Sequence, residues 1–246
     1  MWQNKTISVV ISTYKEKNSV RKMADDFFNT GRVDEVIVVN NNAEPGTDDE
    51  IRKTRSRLIY ESKQGYGYGY RRGIKEASGD YVVLCEADNT YAAEDLERFL
   101  VFARDFPIVV GSRTNRSTIF DTKTMNLLRR LSNVIYAKVI EIIYSTTTLT
   151  DIGCTYKLFR KEALRKLEPQ FQTTNSLFAT ELVLLAAVNR IPFVEIPVTF
   201  RERVGISGTI PHFGKLIEWA IRIWVFIWIY WWKWQWKKLF HHNSNF

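Results

Sequence analysis

The chain has 246 residues, 45% of them hydrophobic, which is enough for a large domain with a buried core and argues against disorder. Lys and Arg outnumber Asp and Glu by 35 to 27, so the surface should attract anions such as nucleotides, phospholipids or nucleic acids. Cys85 and Cys154 lie in apolar runs without the spacing of a zinc site, which indicates buried free thiols in a reducing compartment. The N-terminus passes directly into a strand pattern, which predicts no secretory signal.

Short apolar strands alternate with amphipathic helices through the first half of the chain. Strands are predicted at residues 6–12, 33–42, 57–62, 81–85 and 108–111, and helices at 19–31, 70–79 and 92–106. Because the strands are apolar throughout, both faces of their sheet should be covered, and we predict a mostly parallel α/β sheet flanked by helices. Such sheets bind ligands beyond the carboxyl ends of their strands.

The second half of the chain is less regular. It predicts an amphipathic helix at 125–145, a strand leading into a helix at 151–164, a helix at 176–190, and a strand at 193–203 that Pro197 interrupts. Polar segments follow several of the predicted strands, at residues 12–16, 40–47, 86–91 and 111–116. We expect these strand ends to form a single cleft.

The C-terminal segment is rich in tryptophan, with seven of the eight tryptophans between Trp219 and Trp236. It has only about 10 consecutive uncharged residues, whereas a spanning helix needs roughly 20 apolar ones. On a helical wheel one charged stripe lies beside a wide apolar face; the stripe consists of Lys215, Glu218, Arg222, Lys233 and Lys237. This pattern predicts an amphipathic helix on a membrane surface through residues 212–240, and the alternative is a helix packed on the core or on another subunit. We therefore expect a domain at 1–205 and a membrane-association segment at 206–246.

The sequence "LCEADNTY" places two acids, Glu86 and Asp88, directly after the strand at 81–85. On an extended segment these two carboxylates point to the same side and can face one cation. Hard oxygen ligands of this kind suit Mg²⁺ or Mn²⁺ shared with substrate phosphates. The other interpretation of the triplet is a solvated turn.

The segments "VVISTYKE", "VDEVIVVNNN", "GYGYGYRRGIKEASGDYVVLCEAD", "VVGSR", "DIGCTYKLFRKEAL" and "EIPVTFRERVGIS" occur in this order. Over residues 6–208 the set resembles the family 2 glycosyltransferases of GT-A (Rossmann-like) fold. Within that family it is most similar to the dolichol-phosphate mannose synthase and dolichyl-phosphate glucosyltransferase branch. The resemblance implies inverting transfer of a sugar from a UDP- or GDP-sugar to a polyprenyl phosphate, by a peripheral or monotopic protein at the cytosolic face of a membrane.

The resemblance also assigns roles to residues on the donor side. Asp88 and Glu86 match the family's metal-binding Asp-x-Asp motif, and Thr90 takes the place of a further metal contact. Asp88 is expected to be the ligand, whereas Glu86, one methylene longer than the usual aspartate, is expected to contact the donor's sugar or ribose or to reach the metal through water. The cation, Mg²⁺ or Mn²⁺, would assist departure of the nucleoside diphosphate. The nucleotide-binding positions carried over are Ser12, Tyr14 and Glu16 of the first strand motif, Asn40 and Asn41 at the base, and Gly67 of the glycine loop.

On the phosphate and acceptor side, the resemblance points to Arg113, to Arg129 or its neighbour Arg130, and to Arg203 as phosphate ligands. Asp151 and Glu181 match acceptor-side acids, and they are the base candidates if the acceptor is a hydroxyl, whereas a lipid phosphate needs mainly positioning. The family's glycine is replaced by Thr155. Its final Ser-Lys is replaced by residues 207–208, Ser-Gly, which favours a hydroxyl of a lipid-linked glycan or cell-surface polysaccharide as the alternative acceptor.

A third hypothesis, of another class, is a non-catalytic scaffold that binds nucleotide sugars or lipids, because the acid pair and the asparagine run depart from the family pattern. Nucleic-acid binding is not expected, since the aromatic residues are concentrated on the C-terminal segment rather than along a basic groove. The three histidines show no ligand spacing, and metal binding by them is not expected. Homo-oligomerisation is left open.

Overall fold

The computed structural model describes residues 2–120, 125–204 and 213–242. Its centre is a seven-stranded sheet in the order β3-β2-β1-β4-β6-β5-β7. The strands are β1 (Ile7–Thr13), β2 (Glu35–Asn40), β3 (Arg57–Tyr60), β4 (Tyr81–Glu86), β5 (Ile108–Ser112), β6 (Lys157–Arg160) and β7 (Phe193–Pro197). Neighbouring strands are parallel except where β6 pairs with β4 and β5. The predicted mostly parallel sheet is confirmed.

Eight α-helices surround this sheet in the described part of the chain. They are α1 (Lys17–Asn29), α2 (Thr47–Arg52), α3 (Tyr66–Glu76), α4 (Leu96–Phe102), α5 (Leu127–Tyr144), α6 (Lys161–Leu167), α7 (Phe178–Val188) and α8 (Phe213–His242). Helix α2 was not predicted, because its six residues are too few to show a helical periodicity. Helix α3 begins at Tyr66, so the glycines expected to form a loop lie in its first turns.

Two apolar clusters cover the two faces of the sheet. Successive strand residues point to opposite faces, so Val10 and Val39 pack with α3, α5, α7 and α8, while Val9 and Val38 pack with α1 and α4. All four valines are fully buried. The uniformly apolar strands seen in the sequence are therefore explained by helices on both sides.

Helix α8 belongs to the first of these layers, because it packs on α5 and α7. It buries Ile227, Tyr230 and Trp234, and the Tyr144 hydroxyl of α5 donates a hydrogen bond to the carbonyl oxygen of Ile227 at 3.2 Å. A second apolar stripe of the helix remains exposed, consisting of Ile221, Val225, Trp228, Ile229, Trp232 and Trp236. The wide apolar face predicted from the wheel thus divides into a core-packed half and an exposed half.

Within the described ranges, every helix is too short or too polar to cross a membrane. The predicted boundary between residues 205 and 206 falls at the start of the stretch 205–212, which lies outside the described residues, as do the Ser-Gly pair and His212. The division into two segments stays a prediction.

Candidate active site

The carboxyl ends of β1, β2 and β4 meet at one edge of the sheet. Ser12 of β1 lies opposite Glu86 of β4 in the strand register, and Thr13 lies opposite Asn40 of β2. Strand β5 runs in the same direction, because both β4 and β5 are antiparallel to β6. Arg113, which follows β5, is therefore carried to the same edge. The four polar strand ends collect there as the sequence predicts.

Asp88 is almost completely enclosed, with 1% of its surface exposed. Its Oδ1 accepts hydrogen bonds from the backbone N–H of Thr90 at 3.0 Å and from the Thr90 hydroxyl at 2.6 Å. Its Oδ2 makes no hydrogen bond within the described residues and is ion-paired with Arg203. Thr90 therefore orients Asp88, and its second carboxylate oxygen faces the guanidinium of Arg203.

Glu86 extends from the end of β4 toward two partners. Its Oε1 accepts a hydrogen bond from the Thr155 hydroxyl at 2.5 Å, and its Oε2 lies 3.2 Å from Nη2 of Arg203. Burial and the neighbouring Asp88 raise the pKa of Glu86 to about 7, against the opposing effect of Arg203. Both oxygens of Glu86 are thus engaged by the protein, and Glu86 shares the guanidinium of Arg203 with Asp88.

The backbone around Arg203 is fixed to the acid motif. The N–H of Arg201 donates to the Thr90 carbonyl at 2.7 Å, and the N–H of Val204 donates to the Asp88 carbonyl at 2.9 Å. These two bonds place the guanidinium of Arg203 against both carboxylates. An arginine at this position can also contact a phosphate bound beside the acids.

The residues present fit a cation that is shared with a substrate. The described residues contain no group of three His, Cys, Asp or Glu side chains arranged to hold a metal. The buried Oδ2 of Asp88 is the clearest candidate ligand. Mg²⁺ and Mn²⁺ are often held by one or two carboxylates together with substrate phosphates and water.

Arg113 and Asp151 form a buried bidentate ion pair. Nε and Nη2 of Arg113 lie 2.8 Å and 3.0 Å from the Asp151 oxygens, which also accept from the backbone N–H groups of Arg113 and Gly153. Burial alone would raise the pKa of Asp151, but the Arg113 charge and these hydrogen bonds outweigh it and lower that pKa. A carboxylate with a lowered pKa and fully used oxygens is a poor general base, so the base role considered for Asp151 is not supported.

Glu195 of β7 holds the loop that carries Asp151. Its Oε2 accepts from the backbone N–H groups of Thr150 and Asp151 at 2.8 Å and 2.9 Å. Glu195 was not predicted from the sequence, because nothing in the strand "FVEIP" shows that its acid reaches a loop about 45 positions earlier. Glu195 thereby fixes the loop whose Asp151 pairs with Arg113.

Glu181, the other base candidate, has a structural role. It is 0% exposed, and its oxygens accept from the backbone N–H groups of Gln172 and Thr173 at 2.9 Å and 3.0 Å, and from the Tyr230 hydroxyl of α8. All its contacts are thus within the protein. This arrangement argues against the predicted role of Glu181 as a base on the acceptor side.

Asn40 and Asn41 also use their amide groups within the protein. Asn40 donates to Asp48 at 2.6 Å and accepts from the Ala43 N–H at 2.7 Å. Asn41 is buried, donates to the carbonyls of Glu61 and Lys63, and accepts from the Gly65 N–H at 2.9 Å. The expectation that these amides bind the base is therefore not supported, and Asn41 instead joins two loops.

Gly67 is needed for a close approach of two backbones. Its N–H donates to the Thr174 carbonyl at 2.9 Å, so this N–H is not free to bind a phosphate. A Cβ at position 67 would come within 2.6 Å of the Thr173 carbonyl oxygen and 2.8 Å of Thr174 Cα. Gly67 thus lets α3 pack closely on residues 173–174, and the nucleotide contact at Gly67 stays a prediction.

The remaining predicted positions lie as follows. Tyr14 is 45% exposed beyond β1, and Glu16 accepts from the N–H groups of Tyr14 and Lys15 at 2.8 Å and 2.9 Å, which closes the turn. Ser12 packs against Gly69 of α3. Arg129 lies in the first turn of α5, where Asn126 caps its backbone N–H at 3.0 Å. Nucleotide binding by these residues stays a prediction.

Lys157 is a buried cation that the motifs did not single out for a role. It is the first residue of β6, directly after the segment of Cys154 and Thr155, and its ammonium donates a hydrogen bond to the Cys154 carbonyl oxygen. Burial lowers the pKa of Lys157 to about 8, against the opposing effect of the nearby Cys154 and Asp151. Both cysteines are buried and free, as their apolar surroundings predicted.

A mostly parallel sheet with an acidic motif beyond β4 and arginines from two loops defines the class of nucleotide-sugar transferases with the GT-A fold. The sequence agrees with this class. Residues 8–168 match the family model "Glycosyl transferase family 2", which covers more than half of the chain, and the chain belongs to that family.

Two curated relatives come from the branch to which the motifs point. The dolichyl-phosphate hexose transferase of Haloferax volcanii is 27% identical over 211 residues, covering 85% of this chain and 88% of the relative. The dolichyl-phosphate beta-glucosyltransferase of Saccharomyces cerevisiae is 23% identical over 224 residues, covering 80% and 67%. The resemblance stated from the motifs is confirmed.

Solved structures confirm the fold. Glucosyl-3-phosphoglycerate synthase of Mycobacterium tuberculosis in complex with phosphoglyceric acid aligns with a TM-score of 0.70 at 14% identity, covering 92% of this chain and 80% of that one. The same synthase with Mn²⁺, UDP-glucose and phosphoglyceric acid aligns with a TM-score of 0.69 at 14% identity, covering 93% and 80%. At this identity the likeness establishes the GT-A architecture alone.

Proposed function

We propose that this glycosyltransferase moves a hexose from a nucleotide diphosphate sugar to a polyprenyl phosphate at the cytosolic face of a membrane, with inversion at the anomeric carbon. The similarity to two dolichyl-phosphate sugar transferases supports the lipid phosphate as acceptor. The neighbouring synthase was solved with UDP-glucose and Mn²⁺, which supports a nucleotide-sugar donor and a divalent cation.

The observation that carries the proposal is the buried carboxylate of Asp88 at the carboxyl end of β4, with one oxygen free of hydrogen bonds and Arg203 beside it. A cation held by Asp88 would stabilise the negative charge that forms on the departing nucleoside diphosphate. Arg203 places a guanidinium at the same edge of the sheet, whereas the charge of Arg113 is balanced by Asp151. A guanidinium can bind a phosphate through two hydrogen bonds and so orient it for in-line attack.

The contacts that Asp151 and Glu181 make within the protein favour a phosphate over a hydroxyl as the acceptor. A hydroxyl needs a base to remove its proton, whereas a phosphate monoester is already an anion at neutral pH. Asp151 is committed to Arg113, and Glu181 is committed to backbone N–H groups and Tyr230. The chemistry that remains is positioning and charge stabilisation, which suffices for an anionic nucleophile.

Two exposed apolar stripes support binding to a membrane surface. Helix α8 exposes Ile221, Val225, Trp228, Ile229, Trp232 and Trp236. The neighbouring α5 exposes Leu127, Leu128, Leu131, Ile135 and Ile142. Exposed apolar surface of this kind, with tryptophan and a net charge of +8, is typical of helices that lie in the interface of an anionic membrane.

The test is a transfer assay with purified protein, Mg²⁺ or Mn²⁺, a panel of UDP- and GDP-sugars, and either polyprenyl phosphate or the matching polyprenol. We expect a glycolipid only with the phosphate. Asp88→Asn should reduce transfer by at least about 100-fold, because electrostatic stabilisation of the leaving group is lost. The matched control Asp105→Asn removes an exposed acid and should leave transfer unchanged.

Two other outcomes of the transfer assay would contradict the proposal. Transfer to the polyprenol or to a glycan hydroxyl would replace the proposed acceptor class. Folded protein that binds nucleotide sugar but forms no product with any acceptor would establish the scaffold hypothesis instead.

A further inference from the structure

Helix α8 contacts the loop that precedes α7, residues 171–177, through two side chains on one of its faces. The hydroxyl of Tyr230, which is 3% exposed, donates a hydrogen bond to Oε1 of Glu181 in α7. Lys233 lies three positions later, on the same face of the helix, and its Nζ donates to Oε1 of Gln172 at 2.5 Å. The helix therefore holds the 171–177 loop both directly and through Glu181.

Glu181 fixes the backbone of the 171–177 loop. Its Oε1 accepts from the N–H of Gln172 at 2.9 Å as well as from the Tyr230 hydroxyl. Its Oε2 accepts from the N–H and the hydroxyl of Thr173 at 3.0 Å and 2.5 Å. Because Glu181 is 0% exposed, bulk water cannot replace a donor that is lost, and the loop would have to shift to solvate the charge.

The same loop packs on the first turn of α3. The Thr174 carbonyl accepts from the N–H of Gly67 at 2.9 Å. A Cβ at position 67 would lie 2.6 Å from the Thr173 carbonyl oxygen, so the two backbones are in contact with no side chain between them. Close-packed groups transmit displacement, and a shift of residues 172–174 therefore moves the start of α3.

The start of α3 in turn contacts two strand ends at the candidate active site. The N–H of Gly65, immediately before the helix, donates at 2.9 Å to Oδ1 of Asn41, which follows β2. Gly69 packs against Ser12 of β1. The contacts thus run without a gap from α8 through the 171–177 loop and α3 to the edge of the sheet where the polar strand ends collect.

We propose that Tyr230 is a positioning residue for the candidate active site, assisted by Lys233. Its hydroxyl completes the hydrogen bonds of Glu181, Glu181 holds the 171–177 loop, and the loop sets the first turn of α3 beside the ends of β1 and β2. The C-terminal helix is then part of the framework of the site as well as the carrier of an exposed apolar stripe. The nucleotide as ligand of that site rests on the proposed function, whereas the chain of contacts from α8 to α3 does not.

The first experiment measures amide hydrogen exchange of the full chain by mass spectrometry. In Tyr230→Phe we expect exchange at residues 65–69 and 172–174 to rise by about tenfold, because these segments open more easily when Glu181 loses a donor. Lys233→Met removes the second contact and should raise exchange at 172–174 by about threefold. Unchanged exchange at residues 65–69 in Tyr230→Phe would overturn the inference.

Tyr144→Phe is the matched control for a purely structural effect. Tyr144 of α5 is also a buried tyrosine, and its hydroxyl attaches α8 to α5 through the carbonyl of Ile227 at 3.2 Å. Its loss weakens the attachment of α8 without removing a donor from Glu181, so exchange at residues 65–69 should stay within about twofold of wild type. Equal increases at residues 65–69 in the two tyrosine variants would show a general loosening of α8 and would also overturn the inference.

The second experiment measures binding of UDP and GDP by calorimetry at saturating Mn²⁺. The nucleotide that binds the wild-type protein should bind Tyr230→Phe about tenfold more weakly, because the start of α3 is no longer held in place. Tyr144→Phe should bind it within about twofold of wild type. An unchanged affinity in Tyr230→Phe, or an equal loss in Tyr144→Phe, would contradict the positioning role.

These readouts separate failure of the inference from failure of the proposed function. If neither nucleotide binds the wild-type protein, the proposed function fails, and the exchange at residues 65–69 still decides the inference. If sugar transfer is found but exchange at these residues is the same in Tyr230→Phe and wild type, the function stands and the inference falls. Thermal unfolding first establishes that each variant is folded. Should Tyr230→Phe not fold, Lys233→Met decides, and unchanged exchange at residues 172–174 in that variant overturns the inference.

Discussion

The hydroxyl of Tyr230 in α8 donates a hydrogen bond to Oε1 of Glu181 in α7. Both residues are buried, and the same carboxylate accepts from the backbone N–H groups of Gln172 and Thr173. The carbonyl of the next residue, Thr174, in turn accepts from the first turn of α3. The C-terminal helix is therefore connected through Glu181 to the segment that packs beside the candidate nucleotide site.

Tyr230→Phe should lower the free energy of unfolding by about 1.5–3 kcal/mol, the usual net contribution of a hydrogen bond to a charged group. The phenylalanine ring still fills the space, so little of this loss comes from packing. Chemical denaturation measures it. Tyr14→Phe removes the hydroxyl of a tyrosine that is 45% exposed and should stay within about 0.5 kcal/mol of wild type. Equal values for the two variants would contradict the docking of α8 described here.

Asp151→Asn should lower the free energy of unfolding by about 3–5 kcal/mol, because it leaves the buried guanidinium of Arg113 without its counter-charge. Urea denaturation measures this loss, with Asp105→Asn as the exposed control. A general base would behave differently, since its removal would abolish transfer without a comparable loss of stability. That result would restore the base role of Asp151.

The same pair predicts a pH dependence. The pKa of Asp151 in the folded protein lies below its ordinary value of 3.8, since Arg113 and the hydrogen bonds outweigh burial. The stabilisation is thus fully present above pH 3.8 and is lost as the pH falls through the folded pKa. The difference in unfolding free energy between wild type and Asp151→Asn should be constant from pH 7 to about pH 5 and should narrow only in more acidic solution. A difference that narrows already near pH 6 would contradict the lowered pKa.

Replacing Trp228, Trp232 and Trp236 with serine should weaken binding to anionic phospholipid vesicles. These side chains are 42%, 58% and 57% exposed, and because Trp228 and Trp232 also contact the Trp231 ring, thermal unfolding first establishes that the variant is folded. If burial of each tryptophan in the membrane interface contributes about 1 kcal/mol to the free energy of binding, the loss of all three lowers the affinity for vesicles roughly 100-fold or more. Co-sedimentation measures this affinity. A matched control replaces Val101 and Phe102, which are exposed on α4, and should not change binding. Unchanged vesicle binding in the tryptophan variant would remove α8 as the membrane contact.

The order of strands and helices could be read from the sequence because it rests on local patterns. Continuous apolar strands such as "YVVLC" and helical periodicity such as that of residues 125–145 are properties of neighbouring residues. The position of Glu86 and Asp88 after a buried strand was also sufficient to place them at the ligand-binding edge of a parallel sheet. The start of α3 was not predicted, because glycines in a sequence usually indicate a loop. Here they lie in a helix, since only a residue without a side chain lets α3 approach the backbone of Thr173 and Thr174.

The sequence by itself determined the GT-A architecture, the family and the location of the acid pair, because periodicity and motif order are written along the chain. Only the tertiary structure decided what each polar side chain does there. Asn41, Asp151 and Glu181 are paired with groups far away in sequence, and a buried polar atom must find such a partner or lose the free energy of its hydration. The division of the C-terminal helix into a core-packed stripe and an exposed stripe likewise depends on α5 and α7.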